Sequence, residues 1–112
     1  MNDCIFCKII KKQIPSAAVY EDENLYAFRD IHPQAKHHIL IVSKAHIASV
    51  MEMDTNSEIL KNIFEAIKKI AKQEKILNGF RVTVNNGADA GQTVFHLHFH
   101  LIGGERLSDK MA

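Results

Sequence analysis

Three histidines near the C-terminus alternate with apolar residues in the segment His96-Leu97-His98-Phe99-His100-Leu101-Ile102. Alternate side chains of a strand point to opposite faces, so we expect three imidazoles on one face. The opposite face would carry Phe95, Leu97, Phe99 and Leu101. An imidazole with a pKa near about 6.5 is largely unprotonated at neutral pH, so it can ligate a metal or attack phosphorus. Solvent-facing histidines on an edge strand, or core histidines bonded to carbonyls, would have no such function.

A loop rich in glycine and small residues covers residues 85–93, immediately before this segment. Such a loop can point backbone N–H groups at an anion, although it also fits an ordinary connection between strands. A phosphate held at residues 91–93 would lie beside the start of the histidine strand.

The pair Cys4 and Cys7 has the Cys-x-x-Cys spacing of half a zinc site, and the chain has two cysteines in all. A cytosolic disulfide is not expected, and a thioredoxin-type redox site would need a βαβ context. Two reduced thiols and a zinc site both remain open from these residues alone.

Length and charge limit the classes of protein. The 112 residues are 46% hydrophobic, which suits one domain over residues 1–112. The 14 basic and 13 acidic residues are scattered and give a net charge of +1, so neither a nucleic acid polymer nor a membrane is expected as a partner. No leader-like segment and no run of about 20 apolar residues is seen, which predicts a cytoplasmic protein.

The elements that position these residues follow from hydrophobic periodicity and turn residues. We expect a short helix over Ile5–Ile10, a hairpin of residues 19–21 and 25–29, a buried central strand over 38–42 and a strand over 80–85. A long amphipathic helix follows Asp54, with Thr55 and Glu58 as a capping box and Asn78-Gly79 as its stop. The predicted fold is α+β with a mostly antiparallel sheet.

The histidine segment, with Gly91-Gln92-Thr93-Val94-Phe95 before it, resembles the His-φ-His-φ-His-φ-φ signature of the histidine triad (HIT) superfamily. The chain is most similar to the Hint branch, in its bacterial form with an N-terminal Cys-x-x-Cys. Further matches lie in order at residues 5–10, 14–15, 20–22, 28–31, 33–35, 38–42, 44–46 and 103–104. The resemblance implies a homodimeric purine nucleoside phosphoramidase that cleaves adenosine 5′-phosphoramidate-type substrates at the α-phosphate, releases AMP and needs no metal for the chemistry.

The resemblance also implies the catalytic roles. His98 would attack the α-phosphorus and form a covalent nucleotidyl-histidine that water hydrolyses. His100 would bond a phosphate oxygen or the leaving atom, Thr93 would position the phosphate, and His38 would set imidazole orientation and protonation. His37 would fall on the opposite face of its strand.

The implied nucleotide pocket has apolar walls for the base, a carboxylate for the ribose hydroxyls and polar groups for the phosphate. The walls are Ile5, Phe6, Ile9, Phe28 and Ile31, although an isolated apolar cluster of this kind is more often core than a purine pocket. Asp30 would accept hydrogen bonds from the ribose hydroxyls. The groups that would contact the phosphate are Asn85, Thr93, His98, His100 and the N–H groups of Gly91 and Gln92. These residues do not choose between adenine and guanine.

For the metal, the resemblance implies a structural zinc ion held by Cys4, Cys7, His46 and His96. A closed Cys₂His₂ shell has no open coordination position, so this ion would tether the N-terminus to the histidine strand.

The tail departs from the family pattern. The Hint branch often continues past its Gly-Gly into a Trp-Pro-Pro-Gly-type tail, whereas residues 105–112 read Glu-Arg-Leu-Ser-Asp-Lys-Met-Ala. The leaving-group preference is therefore open. The dimer would pair through the long helix, with Ile59 and Phe64, and the strand after it. Two other functions are a nucleotide-binding regulatory module with incidental hydrolysis, and a metal-dependent hydrolase using the three triad histidines as ligands.

Overall fold

The computed structural model describes residues 3–110, which form a five-stranded antiparallel sheet with two α-helices. The strands are β1 (Ala18–Glu21), β2 (Leu25–Arg29), β3 (His37–Ser43), β4 (Phe80–Thr83) and β5 (His98–Gly103), and the helices are α1 (Ile5–Ile10) and α2 (Ile59–Gln73). The sheet order is β1-β2-β3-β5-β4, and every neighbouring pair is antiparallel. The predicted α+β class and its mostly antiparallel sheet are confirmed. Within the described range, no helix combines the length and apolar character needed to cross a membrane.

Strand β3 lies at the centre of the sheet, as its nearly continuous apolar sequence predicts. It pairs with β2 on one side and β5 on the other, and residues 38–43 are all buried. This arrangement places the N-terminal half of β3 beside the C-terminal half of β5, with His38 opposite Ile102 and Leu40 opposite His100.

The sheet is covered on both faces. Helix α2 packs on one face, where Ile63, Ile67 and Ile70 join Leu97, Phe99 and Leu101 in the larger core. Helix α1 covers the other face with a smaller cluster that contains Phe6, Ile9, Tyr26, Phe28, Leu40 and Val42. The histidine side chains of β5 lie on the α1 face because they alternate with the residues that face α2.

The histidine strand is shorter than predicted. Strand β5 begins at His98, and residues 94–96 form a bend, so the triad is divided between a bend and a strand. Leu97 still faces the core because its N–H donates to the Ile47 carbonyl at 2.6 Å. Phe95 is 52% exposed, so its predicted place on the core face is wrong.

Both predicted ends of α2 are also wrong. The helix begins at Ile59 with Glu58 at its N-cap and no side-chain cap, so Thr55 forms no capping box. It ends at Gln73 rather than at Asn78-Gly79, because Lys75 adopts a left-handed conformation with φ 62°. The N–H groups of Lys75 and Ile76 then donate to the carbonyls of Lys72 and Ala71, which is a Schellman motif that buries Ile76.

Candidate functional site

The first part of the site joins the N-terminus to the bend before β5. Cys4 occupies the N-cap position of α1, and its sulphur accepts a bond from the N–H of Cys7 at 3.4 Å. Nδ1 of His96 lies 3.3 Å from Sγ of Cys4 and 3.5 Å from Sγ of Cys7. Nδ1 of His46 lies 3.3 Å from Sγ of Cys7. The backbone hydrogen bond between Leu97 and Ile47 brings the preceding residues, His96 and His46, together.

These four side chains fit a zinc ion. Their ligand atoms all lie within 4.8 Å of one another. A tetrahedral ion with Zn–S of about 2.3 Å and Zn–N of about 2.0 Å would place sulphur and nitrogen about 3.5 Å apart, close to the separations seen here. His96 Nε2–H donates to the Ser43 carbonyl at 2.7 Å. Nδ1 is then unprotonated, and its lone pair is directed at the sulphurs.

Burial sets the charge of this cluster. Burial raises the pKa of the Cys4 thiol and lowers the pKa of His96, so both groups tend to be neutral without a metal. No disulfide joins Cys4 and Cys7. A bound cation would stabilise the thiolates that coordinate it.

His98 is the next histidine of the segment, and it differs from His96 in which ring nitrogen is left without a carbonyl partner. Its Nδ1 lies 2.7 Å from the His96 carbonyl, which can only accept, so Nδ1 carries the proton and Nε2 has the lone pair. Burial lowers the pKa of His98, which keeps the ring neutral. The residue is 8% exposed, and its ring packs edge to face with Phe6 at a centroid distance of 5.0 Å. His98 is therefore held as a neutral imidazole with an unprotonated Nε2.

His100 and His38 form the second part of the site. Nδ1 of His100 lies 2.9 Å from Nε2 of His38, whose Nδ1 accepts from the Gln34 backbone N–H at 2.9 Å. Oδ2 of Asp30 lies 3.4 Å from Nε2 of His38. Burial, with His98 and His38 nearby, lowers the pKa of His100 to about 4. Burial also lowers the pKa of His38, although the Asp30 charge opposes this shift.

Neighbouring His37 points away from the site, as strand alternation predicts. Its Nδ1 lies 2.8 Å from Oε1 of Glu74, at the end of α2, and Arg29 bonds the same carboxylate at 2.9 and 3.0 Å. Arg29 and the His37 contact hold the pKa of Glu74 below its usual range, against the effect of burial. This group links α2 to the sheet behind the site.

The loop before the bend is stabilised from within by Gln92. The Gln92 side chain is buried, donates to the Ala48 and Val94 carbonyls at 2.8 and 3.1 Å, and accepts from the Gly87 N–H at 2.8 Å. The N–H groups of Gly91 and Gln92 donate to the Ala88 and Gly87 carbonyls. Both N–H groups are therefore already hydrogen-bonded within the loop, and their contact with a phosphate stays a prediction. Beside this loop, Asn85 is half-buried and Thr93 is exposed.

The residues expected to surround a base fall into two groups. Phe6, Ile9 and Phe28 are buried in the α1-face cluster, where Phe6 and Phe28 meet edge to face at 5.6 Å. Ile5 and Ile31 are 45% and 86% exposed, so they can contact a ligand directly. Asp30 is half-buried at the start of the loop before β3, and its Oδ1 accepts from the His32 N–H at 2.9 Å.

Sequence reasoning missed the groups that hold the imidazoles. They are the Ser43 and His96 carbonyls and the Gln34 N–H. All three are backbone groups, and side-chain pattern gives no signal for them.

This chain is similar to known proteins in sequence and in structure. The family model of the HIT domain matches residues 11–107. A 14 kDa zinc-binding protein of Zea mays is 46% identical over 107 residues, which cover 93% of this chain and 84% of that protein. A HIT family hydrolase from Clostridium thermocellum is 46% identical, with a TM-score of 0.95 and coverage of 100% of this chain and 99% of that one. A histidine triad nucleotide-binding protein from Candida albicans is 35% identical, with a TM-score of 0.81 and coverage of 98% and 87%.

Proposed function

The chain belongs to the HIT domain family, and we propose that it is a single HIT domain over residues 1–112 that hydrolyses purine nucleoside phosphoramidates. Its substrates are of the adenosine 5′-phosphoramidate type, cleaved at the α-phosphate with AMP as product. The observation that carries this proposal is the hydrogen bond from His98 Nδ1–H to the His96 carbonyl, because it leaves Nε2 unprotonated.

The reaction proceeds in two displacements. Nε2 of His98 attacks the α-phosphorus, the bond from phosphorus to the leaving nitrogen breaks, and that nitrogen keeps the electron pair and takes up a proton from solvent. Water then attacks the same phosphorus and loses a proton to solvent. The bond from phosphorus to Nε2 breaks, which releases AMP and restores the neutral imidazole.

The surrounding side chains orient the phosphate. His100 lies beside His98, with ring centroids 5.1 Å apart, so it can bond a phosphoryl oxygen or the leaving atom. His38 fixes the His100 ring through the 2.9 Å contact. Thr93 offers an exposed hydroxyl and Asn85 an amide at the ends of the glycine loop.

The nucleoside lies along the loop that follows β2. Asp30 accepts the ribose hydroxyls, and the exposed side chains of Ile5 and Ile31 enclose the base. Phe6, Ile9 and Phe28 support this wall from the core beneath it. Apolar stacking accepts either purine.

The metal has a structural role. Cys4, Cys7, His46 and His96 would hold zinc in a closed shell, and the ion would supply rigidity between α1 and the histidine segment. A reducing compartment such as the cytoplasm would keep both thiols available for coordination.

A homodimer completes the proposal. Phe64 and Leu60 on α2 are 44% and 36% exposed, and Phe80 on the edge strand β4 is 38% exposed. A second copy of the chain would cover this apolar surface and pair with the free edge. Sedimentation equilibrium of the wild type and of Phe64→Glu tests the dimer. We expect the wild type to be a dimer and the charged variant to be a monomer.

The geometry favours this function over the two others. The ligand atoms of His96, His98 and His100 do not form a common cluster among residues 3–110, and His96 belongs to the cysteine group. This disfavours a metal-dependent hydrolase that uses the triad as ligands. A pure binding module would have no need for a bare Nε2 at His98.

AMP release from adenosine 5′-phosphoramidate tests the proposal, measured for wild type and His98→Asn with and without a chelator. We expect turnover in the wild type that resists the chelator and vanishes in the variant. Absence of wild-type turnover would support the binding module, and immediate loss on chelation would support the metal-dependent hydrolase.

A further inference from the structure

One polar atom in the site has no partner. Nε2 of His100 is buried and makes no hydrogen bond within the described residues, whereas Nδ1 of the same ring lies 2.9 Å from His38. A neutral imidazole has one donor and one acceptor nitrogen, so the proton position decides what Nε2 offers a substrate.

The proton position follows from the backbone. The Gln34 N–H donates to Nδ1 of His38 at 2.9 Å, so that nitrogen must be unprotonated. A neutral His38 then carries its proton on Nε2, which faces Oδ2 of Asp30 at 3.4 Å. A doubly protonated His38 would set two N–H groups against each other.

The same reasoning extends to the next ring. Nε2–H of His38 donates to Nδ1 of His100, so His100 must carry its proton on Nε2. That atom lies on the face of β5 that also carries His98, where a phosphoryl group would sit. The two neighbouring imidazoles thus present opposite atoms, a lone pair on His98 and an N–H on His100.

We propose that the Gln34 backbone N–H is a positioning group that fixes both tautomers and makes His100 Nε2–H a preset hydrogen-bond donor to a phosphoryl oxygen. This proposal rests on the proposed function, because the phosphoryl group is its ligand. A donor fixed before substrate arrives stabilises the oxygen as charge grows there, without reorganisation.

The same tautomers argue against a second metal site. Asp30, His38 and His100 offer ligand atoms within 4.8 Å of one another, a grouping that also suits a cation. The proton on Nε2 of His38 occupies the position that a metal would need. The protein should therefore bind one zinc ion per chain in a titration with zinc alone.

The direct test is a long-range ¹H–¹⁵N correlation spectrum of the ¹⁵N-labelled protein at neutral pH, which distinguishes protonated from bare ring nitrogens. We expect a proton on Nε2 and a bare Nδ1 in both His38 and His100. A proton on Nδ1 of His100 would overturn the proposal. The spectrum needs no substrate, so its result is independent of whether the protein hydrolyses phosphoramidates.

Two pairs of variants test the role of Gln34. Gln34→Pro removes the N–H, whereas Gln34→Ala retains it, so the alanine variant should keep the wild-type tautomers and the proline variant should lose them. If the proline variant does not fold, His38→Gln and His38→Glu replace it. Glutamine can donate to His100 and should keep the proton on Nε2, whereas glutamate can only accept and should move that proton to Nδ1.

Turnover provides a second readout of the glutamine and glutamate pair. We expect kcat to fall about 10- to 100-fold further in His38→Glu than in His38→Gln, because loss of one preset donor typically costs about 10²- to 10³-fold. Identical His100 tautomers in these two variants, or in the two Gln34 variants, would contradict the proposal.

Discussion

The two ends of the histidine segment use the same side chain in opposite ways. At His96, a carbonyl binds Nε2–H and leaves Nδ1 facing two sulphurs. At His98, a carbonyl binds Nδ1–H and leaves Nε2 facing the site. The nitrogen held by the backbone therefore decides which nitrogen is available, and it divides one sequence motif into a proposed metal end and a proposed phosphate end.

The two ends meet in one residue. The His96 ring belongs to the cysteine cluster, and its carbonyl accepts the bond that fixes His98. We therefore expect changes at the two ends to affect different measured properties.

The largest effect is expected at the phosphate end. His98→Asn should lower kcat for AMP release by about 10³-fold or more, because the proposed nucleophile is lost. Zinc content and thermal stability should stay near the wild-type values. Metal analysis and calorimetry check this, and His37→Asn, on the other face of β3, is the matched control that should retain turnover.

If His98→Asn lost its zinc as well as its turnover, this would contradict the division between the two ends. Loss of turnover in the His37→Asn control would show that the assay responds to general damage to β3.

At the metal end, Cys7→Ser should remove the zinc ion and several kcal/mol of stability, since metal binding contributes directly to folding. Turnover at a temperature where the variant remains folded should fall far less than in His98→Asn. Metal analysis and urea unfolding check this. Full zinc occupancy in Cys7→Ser would exclude the Cys4, Cys7, His46 and His96 site.

A change at Glu74, on the α2 side of the sheet, should leave both the metal end and the phosphate end intact. Glu74→Gln weakens the contacts with Arg29 and His37 and should lower the free energy of unfolding by about 1–2 kcal/mol, because the carboxylate is largely buried. Zinc content and kcat should not change. A large loss of turnover would show that the α2 side of the sheet contributes to the site.

The smallest effect is expected from acid. The pKa of His100 is lowered to about 4 in the folded protein, whereas an unfolded histidine has a pKa near about 6.5. The unfolded chain thus binds more protons as pH falls below about 6.5, so stability is present above that pH and is lost toward pH 4. Between pH 7 and 5 we expect His100 to contribute a loss of about 1 kcal/mol, a value that includes a discount for solvent screening of the partly exposed ring.

Urea unfolding at the two pH values measures this loss. His100→Phe should have a flatter pH dependence than the wild type, because the titrating ring is gone. Equal slopes for both proteins would contradict the neutral state of His100.

Much of the fold could be predicted from side-chain pattern. Alternation predicted the faces of Leu97, Phe99 and Leu101, and helix α1 begins and ends where it was expected. The central position of β3 followed from its continuous apolar run. In these regions local pattern and tertiary burial agree.

The errors lie where backbone contacts override the pattern. Leu97 bonds to Ile47, so the chain bends at residues 94–96 and Phe95 is exposed. Lys75 takes the left-handed position usually given to glycine, because burial of Ile76 stabilises the turn. The candidate site residues were named through the resemblance, whereas their tautomers depend on carbonyl and N–H groups that sequence pattern does not reveal.

The stereochemistry at phosphorus tests the central claim most directly. Adenosine 5′-phosphoramidothioate of one configuration, hydrolysed in ¹⁸O-labelled water, gives a chiral product whose configuration can be determined by ³¹P NMR. Two successive displacements through His98 predict net retention. Net inversion would contradict the account, because it would mean that water attacks the phosphorus without a nucleotidyl-histidine.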